Sequence, residues 1–336
     1  MKRLWNLATL WSRAKPRVGA TPSVEVLREN KVRLLRYLPR AERIAYRTPV
    51  LLVPSLINRH YVLDLMPGKS FAEYLVAQGH DVLVVDWGTP GEEDRYLTFD
   101  EMCDGYLGRA LRFAARLSPR GKAHVLGYCL GGTLAAIHAA ARPQHVASMV
   151  ALAAPIGFQD DGLLSRWTRT QSFDVDAVVE AYGNVPPQLM QSAFHLLRPT
   201  LSLSKAVHLL DRAWNDEYLD GFLALETWGN DNVAFPGECF RRYIRDLYRT
   251  DALINGTFVL SGIAVKLGSI RCPVLAVTFE HDNIVPWQSA AVLMEQIGST
   301  DKERIHLPGG HVGAVVSKSA AKGLWQQMHA WWAARD

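Results

Sequence analysis

The sequence predicts an α/β fold, with a mainly parallel sheet covered by helices and one largely helical insertion. Short, wholly apolar runs alternate with stretches of helical periodicity, as crossover connections between parallel strands require. One of these transitions, Gly127-Tyr128-Cys129-Leu130-Gly131, has the glycine spacing of a sharp strand-to-helix corner. The alternation then breaks between about 158 and 268, in a stretch rich in Trp, Tyr and Arg. An insertion there is how such a sheet acquires a cap over a site that must exclude water. With 336 residues, 49% hydrophobic and 21% charged, the composition is that of a globular chain and excludes a disordered or fibrous one.

The elements follow in order. Residues 1–18 are basic and put Leu4, Leu7, Ala8 and Trp11 on one helical face, flanked by Lys2, Arg3, Arg13, Lys15 and Arg17. This reads either as a surface helix docked on its own domain or as an amphipathic foot for an apolar surface or partner. Asn6, Thr9 and Ser12 interrupt the apolar residues, which argues against a secretory signal. No run approaches the length of a membrane span. Strands are expected at 50–54, 81–86, 123–127, 146–153, 274–279 and 304–307. Helices are expected at 70–78, 99–117, 130–141 and 317–333. The implied organisation is an N-terminal extension over 1–30, a core over 31–158 and 269–336, and a cap over 159–268.

The chemistry centres on Cys129. G-x-C-x-G is the nucleophile-elbow pattern with cysteine in the serine position. Side chains two residues before and after the nucleophile would collide in so tight a turn, hence the glycines. At this composition the pattern arises by chance about 0.02 times per chain. A nucleophile needs a base, and the base an orienting acid. Asp282 follows the strand at 274–279 and His311 the strand at 304–307, both just past strand ends where open α/β sheets build their sites. Glu280 is a rival acid. His281 and Asn283 flank Asp282 as supporting residues. His124, His138, His145 and His329 lie inside or beside elements and read as structural. The oxyanion donors are expected to be the backbone N–H of Leu130, next after the nucleophile, and of Ile57, in the loop after the strand at 50–54.

Other functions find little support. A net charge of +4 is too mild for nucleic acid. Four cysteines make no disulfide framework, and Cys103, Cys239 and Cys272 lack metal-ligand spacing, so no metal is expected. There is neither a phosphate-binding loop nor a dinucleotide-binding turn.

Gly127-Tyr128-Cys129-Leu130-Gly131-Gly132 resembles the cysteine-containing, lipase-like box of the polyhydroxyalkanoate synthases. Val53 to Leu65 looks like that family's oxyanion-loop region. Asp86-Trp87-Gly88 with Tyr96-Leu97-Thr98 is similar too, as is Phe235-Pro236-Gly237 through Tyr243–Tyr248 to Asn255-Gly256. The resemblance runs from about 30 to 315. It implies an α/β-hydrolase architecture with a cap, and polymerisation of 3-hydroxyacyl-coenzyme A, such as the 3-hydroxybutyryl thioester, with release of coenzyme A. Coenzyme A is then part of the substrate, and no separate cofactor is expected. Cys129 would carry the acyl chain, His311 would be the general base, and Asp282 its partner or an activator of the incoming hydroxyl. The resemblance further implies a cytoplasmic enzyme at the surface of polyester granules, as a homodimer or with a second subunit. The short N-terminus is similar to that of the two-subunit classes. One departure is Asn283, where synthases commonly carry His after the acid. A cysteine thioesterase or depolymerase, and a silent granule-associated scaffold, are the alternatives on the same framework.

Overall fold

The computed structural model describes residues 2–40, 44–197 and 201–336. Its strands are β1 (Ser23–Glu29), β2 (Val32–Tyr37), β3 (Val50–Val53), β4 (Val82–Asp86), β5 (Ala123–Tyr128), β6 (Val146–Leu152), β7 (Val259–Leu260), β8 (Ile263–Ala264), β9 (Val274–Phe279) and β10 (Lys302–Leu307). Eight form one sheet in the order β1-β2-β4-β3-β5-β6-β9-β10, while β7 and β8 make a small separate ribbon. From β4 to β10 all neighbours are parallel. Both faces of β3, β4, β5 and β9 are covered, which is why they read as continuous apolar runs, whereas the edge strand β10 is half exposed. In β3, Leu51 and Val53 face one apolar cluster and Val50 and Leu52 the other, the period of two a strand imposes.

The sheet begins earlier than the sequence suggests. β1 and β2 form an antiparallel hairpin on the edge of β4, so the boundary placed at 30 falls inside it. Both strands are half exposed and carry charges, and this hid them in a search for apolar runs. The hairpin turns at Asn30, whose φ is +52°. Arg36 bonds Asp81 at 2.8 Å, tying the hairpin to the foot of β4.

The helices are α1 (Lys2–Ala8), α2 (Phe71–Ala77), α3 (Gly108–Arg116) and α4 (Leu130–Ala141), then α5 (Leu163–Arg169), α6 (Val175–Tyr182), α7 (Pro187–Leu196), α8 (Leu201–Arg212), α9 (Asp216–Gly229) and α10 (Gly237–Arg242), with the short helices Trp287–Ala291 and Leu293–Gln296 between β9 and β10. Ser70 caps α2 by accepting from Glu73 N–H. The closing helix, expected as one piece over 317–333, is two, Lys318–Lys322 and Leu324–Ala333, and a further short helix, Gly313–Val316, precedes both. Ser317 caps Lys318–Lys322, and Gly323 separates that helix from Leu324–Ala333.

Residues 159–268 divide in two. Phe235, Phe240, Ile244, Leu247, Phe258 and Leu260 pack in the same apolar cluster as Leu134 and Ile137 of α4. This part is continuous with the core. By contrast, α9 has two faces: Leu219 and Leu223 pack with Leu10 and Ala213 in a small separate cluster, while Ala224, Leu225 and Trp228 lean on the core. The N-terminal segment also departs from expectation. Helix α1 stops at Ala8, and a 3₁₀ turn follows at Leu10–Ser12. The 4-7-8-11 face therefore does not form. Leu10 is buried instead, Asn6 Nδ2 donates to Ala213 O at 2.8 Å, and Leu4, Trp5 and Trp11 are exposed.

Candidate active site

Cys129 stands between β5 and α4 with φ +55° and ψ −130°, a conformation side chains rarely adopt. Its neighbours explain how the turn is tolerated. A Cβ on Gly127 would lie 2.3 Å from Gly132 Cα, one on Gly131 2.1 Å from Val53 O, and one on Gly132 2.3 Å from Ala154 Cβ. The glycines thus let α4 press against the end of β3 and the loop that carries Ile57. Neither Leu130 N–H nor Ile57 N–H finds an acceptor among the described residues.

Asp282 and His311 converge on this corner from β9 and β10. His311 Nδ1 and Asp282 Oδ2 are 2.7 Å apart, and both side chains are buried. Asp282 Oδ1 accepts from the backbone N–H of Ile284 and Val285, both at 2.9 Å, which fixes the carboxylate. Tyr128 lays its ring at 5.0 Å from the imidazole and donates from its hydroxyl to His311 O at 3.2 Å. Burial pushes the imidazole pKa down, but the charges of Asp282 and Cys129 outweigh it and raise the ring to about 10. A cationic imidazole held by a buried carboxylate is the partner a nucleophile at this corner can use. Burial pushes the thiols of Cys103, Cys239 and Cys272 up, the last to about 11.

The flanking residues fall otherwise than expected. The His281 and Asn283 side chains are exposed, and no hydrogen bond ties either to Asp282 or His311. Support for the carboxylate comes instead from the backbone two and three residues on, which no side-chain identity encodes. Asn283 lines a cleft of about 470 Å³ together with Asp282, Pro286, Asp160, Leu163 and Leu197. Glu280 bonds His306 Nε2 at 2.7 Å. His124 bonds Ser148 at 2.7 Å and His329 bonds His80 at 2.9 Å.

Tyr243 and Tyr248, which the sequence offers only as part of a family-like stretch, also stand near the corner. A π-helical turn over Tyr243–Arg249 packs their rings 5.3 Å apart against Phe158. Burial pushes both phenols up, with the charge of Cys129 adding to it, so both stay neutral at its side. Their spacing of five is the signal of such a turn, which a search at helical period passes over.

A strained nucleophile corner and a parallel sheet with helices on both faces define an α/β-hydrolase fold, here with cysteine at the corner. The chain matches the family model "alpha/beta hydrolase fold" over residues 48–316. A hydrolase structure from Pseudomonas aeruginosa PA01 superposes with a TM-score of 0.57 at 16% identity, covering 93% of this chain and 99% of that one. Residues 15–75 match a second model, "Poly-beta-hydroxybutyrate polymerase (PhaC) N-terminus". Poly(3-hydroxyalkanoate) polymerase subunit PhaC of Allochromatium vinosum is 34% identical, covering 93% of this chain and 88% of that one. The protein of the same name from Haloferax mediterranei is also 34% identical over 95% of this chain, which spans 65% of its length. The chain belongs to the poly(3-hydroxyalkanoate) polymerase family.

Proposed function

We propose that the protein polymerises 3-hydroxyacyl-coenzyme A, with short-chain substrates such as 3-hydroxybutyryl-coenzyme A, through a covalent thioester on Cys129. The observation that carries this reading is the strained Cys129 corner beside the buried His311–Asp282 pair. The Cys129 thiolate attacks the thioester carbonyl, and the negative oxygen is stabilised by the N–H groups of Leu130 and Ile57. The intermediate collapses with loss of coenzyme A, whose sulfur takes the proton of His311, leaving an acyl thioester on Cys129 and a neutral imidazole. The hydroxyl of a bound 3-hydroxyacyl group then gives its proton to neutral His311 and attacks that thioester. An ester bond forms and the Cys129 thiolate is regenerated. Asp282 orients His311 throughout. Coenzyme A enters as part of the substrate, and the reaction as written needs no cofactor or metal. The names of the relatives support polyester synthesis in general.

The proposed setting is the cytoplasmic surface of polyester granules, with a homodimer or a second subunit as the working form. Among the described residues no helix is long and apolar enough to cross a membrane. The exposed Leu203, Val207, Leu210 and Trp214 beside Trp5 and Trp11 support contact with an apolar surface.

Product analysis with 3-hydroxybutyryl-coenzyme A, with and without a candidate second subunit, tests the reading. Polymer plus free coenzyme A supports it. Free 3-hydroxybutyrate identifies a hydrolase instead, and absence of coenzyme A release under all conditions identifies a silent scaffold.

A further inference from the structure

The loop that carries Ile57 is held from two sides. On the sheet side, Trp87 Nε1 donates to Pro54 O at 3.0 Å. On the other side stands the end of α9 and the chain just after it. Trp228 Nε1 donates to Arg59 O at 3.1 Å, and Val233 N–H to Ile57 O at 3.3 Å. Asn58 Nδ2 donates to Asn232 Oδ1 at 2.6 Å. Asp231 takes one donor on each oxygen: Arg59 Nε on Oδ1 at 3.0 Å and the Tyr61 hydroxyl on Oδ2 at 2.7 Å. Arg59 is itself aimed by Thr89, whose hydroxyl accepts from Nη1 at 2.9 Å. The cap end of this latch is anchored in turn, because Gln191 of α7 donates to Gly229 O at 3.2 Å and Asn232 Nδ2 to the same oxygen at 3.0 Å.

These bonds converge on residues 57–61, and one of them falls on the carbonyl of Ile57. The Arg59–Asp231 pair is individually weak, since both side chains are partly exposed. Together the bonds form a set that holds only while residues 228–233 are seated.

We infer that Asp231 is a positioning residue, through which the seated cap sets the conformation of loop 55–61 and thereby the Ile57 N–H for acyl transfer. This rests on the acyl-transfer chemistry proposed at Cys129. An oxyanion donor acts only from the right place, and loss of one costs about 10²–10³ in rate. With the cap displaced, the donor drifts and an acyl thioester on Cys129 is poorly activated toward water as well as toward hydroxyl. The latch thus ties reactivity to closure and limits hydrolysis of the growing chain while the site is open.

The test compares two reactions of the same sulfur. Iodoacetamide alkylates a thiolate by displacement of iodide and forms no oxyanion, whereas acylation by 3-hydroxybutyryl-coenzyme A passes through one. In the 336-residue chain, Asp231→Ala is expected to lower first-turnover coenzyme A release about 10–100-fold and to leave alkylation within about twofold. Asp231→Asn, which keeps one acceptor oxygen, is expected to fall between. An equal fall in both reactions, or no fall in acylation, overturns the inference. Amide hydrogen exchange over residues 55–61 reads the latch without substrate. About tenfold faster exchange in Asp231→Ala supports the latch, and unchanged exchange overturns it even if the wild-type protein releases no coenzyme A. That last result would count against the proposed function alone.

Discussion

The sheet core and the outer cap use the same apolar residues in opposite ways. In β3, β4, β5 and β9 every residue is buried, and leucine and valine fix the positions of loops that carry chemistry. In α7 no residue is buried, and α8 turns Leu203, Val207 and Leu210 outward. One region spends apolar surface on its own stability and the other leaves it to face something else. The core should therefore fail by losing activity or fold, and the outer cap by losing association with both intact.

The largest effect belongs to the corner the core builds. Cys129→Ala is expected to abolish first-turnover coenzyme A release, and His311→Gln to lower it about 10²–10⁴-fold, with melting of Cys129→Ala near wild type. Turnover near normal in Cys129→Ala would remove the thioester mechanism and leave the contrast without its catalytic half.

Stability comes next. Gly131→Ala places a methyl group 2.1 Å from Val53 O, backbone that cannot give way without moving β3. Leu126→Ala opens a cavity among Leu52, Val84 and Val150. Urea unfolding should show a loss of about 2–5 kcal/mol for the leucine and a comparable loss, together with lost acylation, for the glycine. Fold and activity both unchanged in Gly131→Ala would break the claim that the core shapes the corner.

A smaller, pH-dependent effect sharpens the comparison. His311 is raised to about 10 by Asp282 and Cys129 against its burial, well above the ordinary imidazole value of 6.5. The protonated folded form is thus favoured. The stabilisation it contributes is fully present below about pH 6.5 and is lost as the pH rises through about 10. The stability gap between wild type and His311→Gln should narrow from pH 6.5 to 10. A gap that widens over that range contradicts the charge arrangement.

These regions also differ in how legible they were. The corner compresses its backbone demands into five residues, so Gly127, Cys129 and Gly131 could be read directly. Asp282 and His311 followed from strand ends and chain order. The β1–β2 hairpin escaped because its charged, half-exposed strands carry no apolar run. The latch escaped because Asn58 and Asn232 are 174 residues apart, and Arg59 and Asp231 172, so only the fold joins them. The N-terminal face was misread by assuming an unbroken helix. Thr9 ends it, with its hydroxyl turned back onto Trp5 O at 2.8 Å, and the chain then buries Leu10 where Trp11 was expected to join the stripe.

That misreading decides how the outer cap should be tested. Deleting residues 2–18 would strip Leu4, Trp5 and Trp11 from the surface. It would also remove Leu10 and Asn6, which cover Ala213 and Leu219, and Arg13, which pairs with Asp216 and Asp220. Lost association in such a truncation could report an unsettled α9, and through residues 228–233 a disturbed oxyanion loop. Substitutions on α8 avoid this. Positions 203, 207, 210 and 214 recur at intervals of four, three and four, one face of a helical path. Leu203 is 69% and Trp214 58% exposed. Replacing Leu203, Val207 and Leu210 by serine should change unfolding free energy by no more than about 0.5 kcal/mol each and leave first-turnover coenzyme A release unchanged. Co-sedimentation with polyester granules should fall several-fold, because a compact apolar patch is what an apolar polymer surface can bury. Unchanged sedimentation with a lowered dimer fraction would assign the stripe to a second copy of the chain. Loss of stability with unchanged sedimentation would mean that the outer cap, like the core, keeps its apolar residues for itself, and the contrast between the two regions would fall.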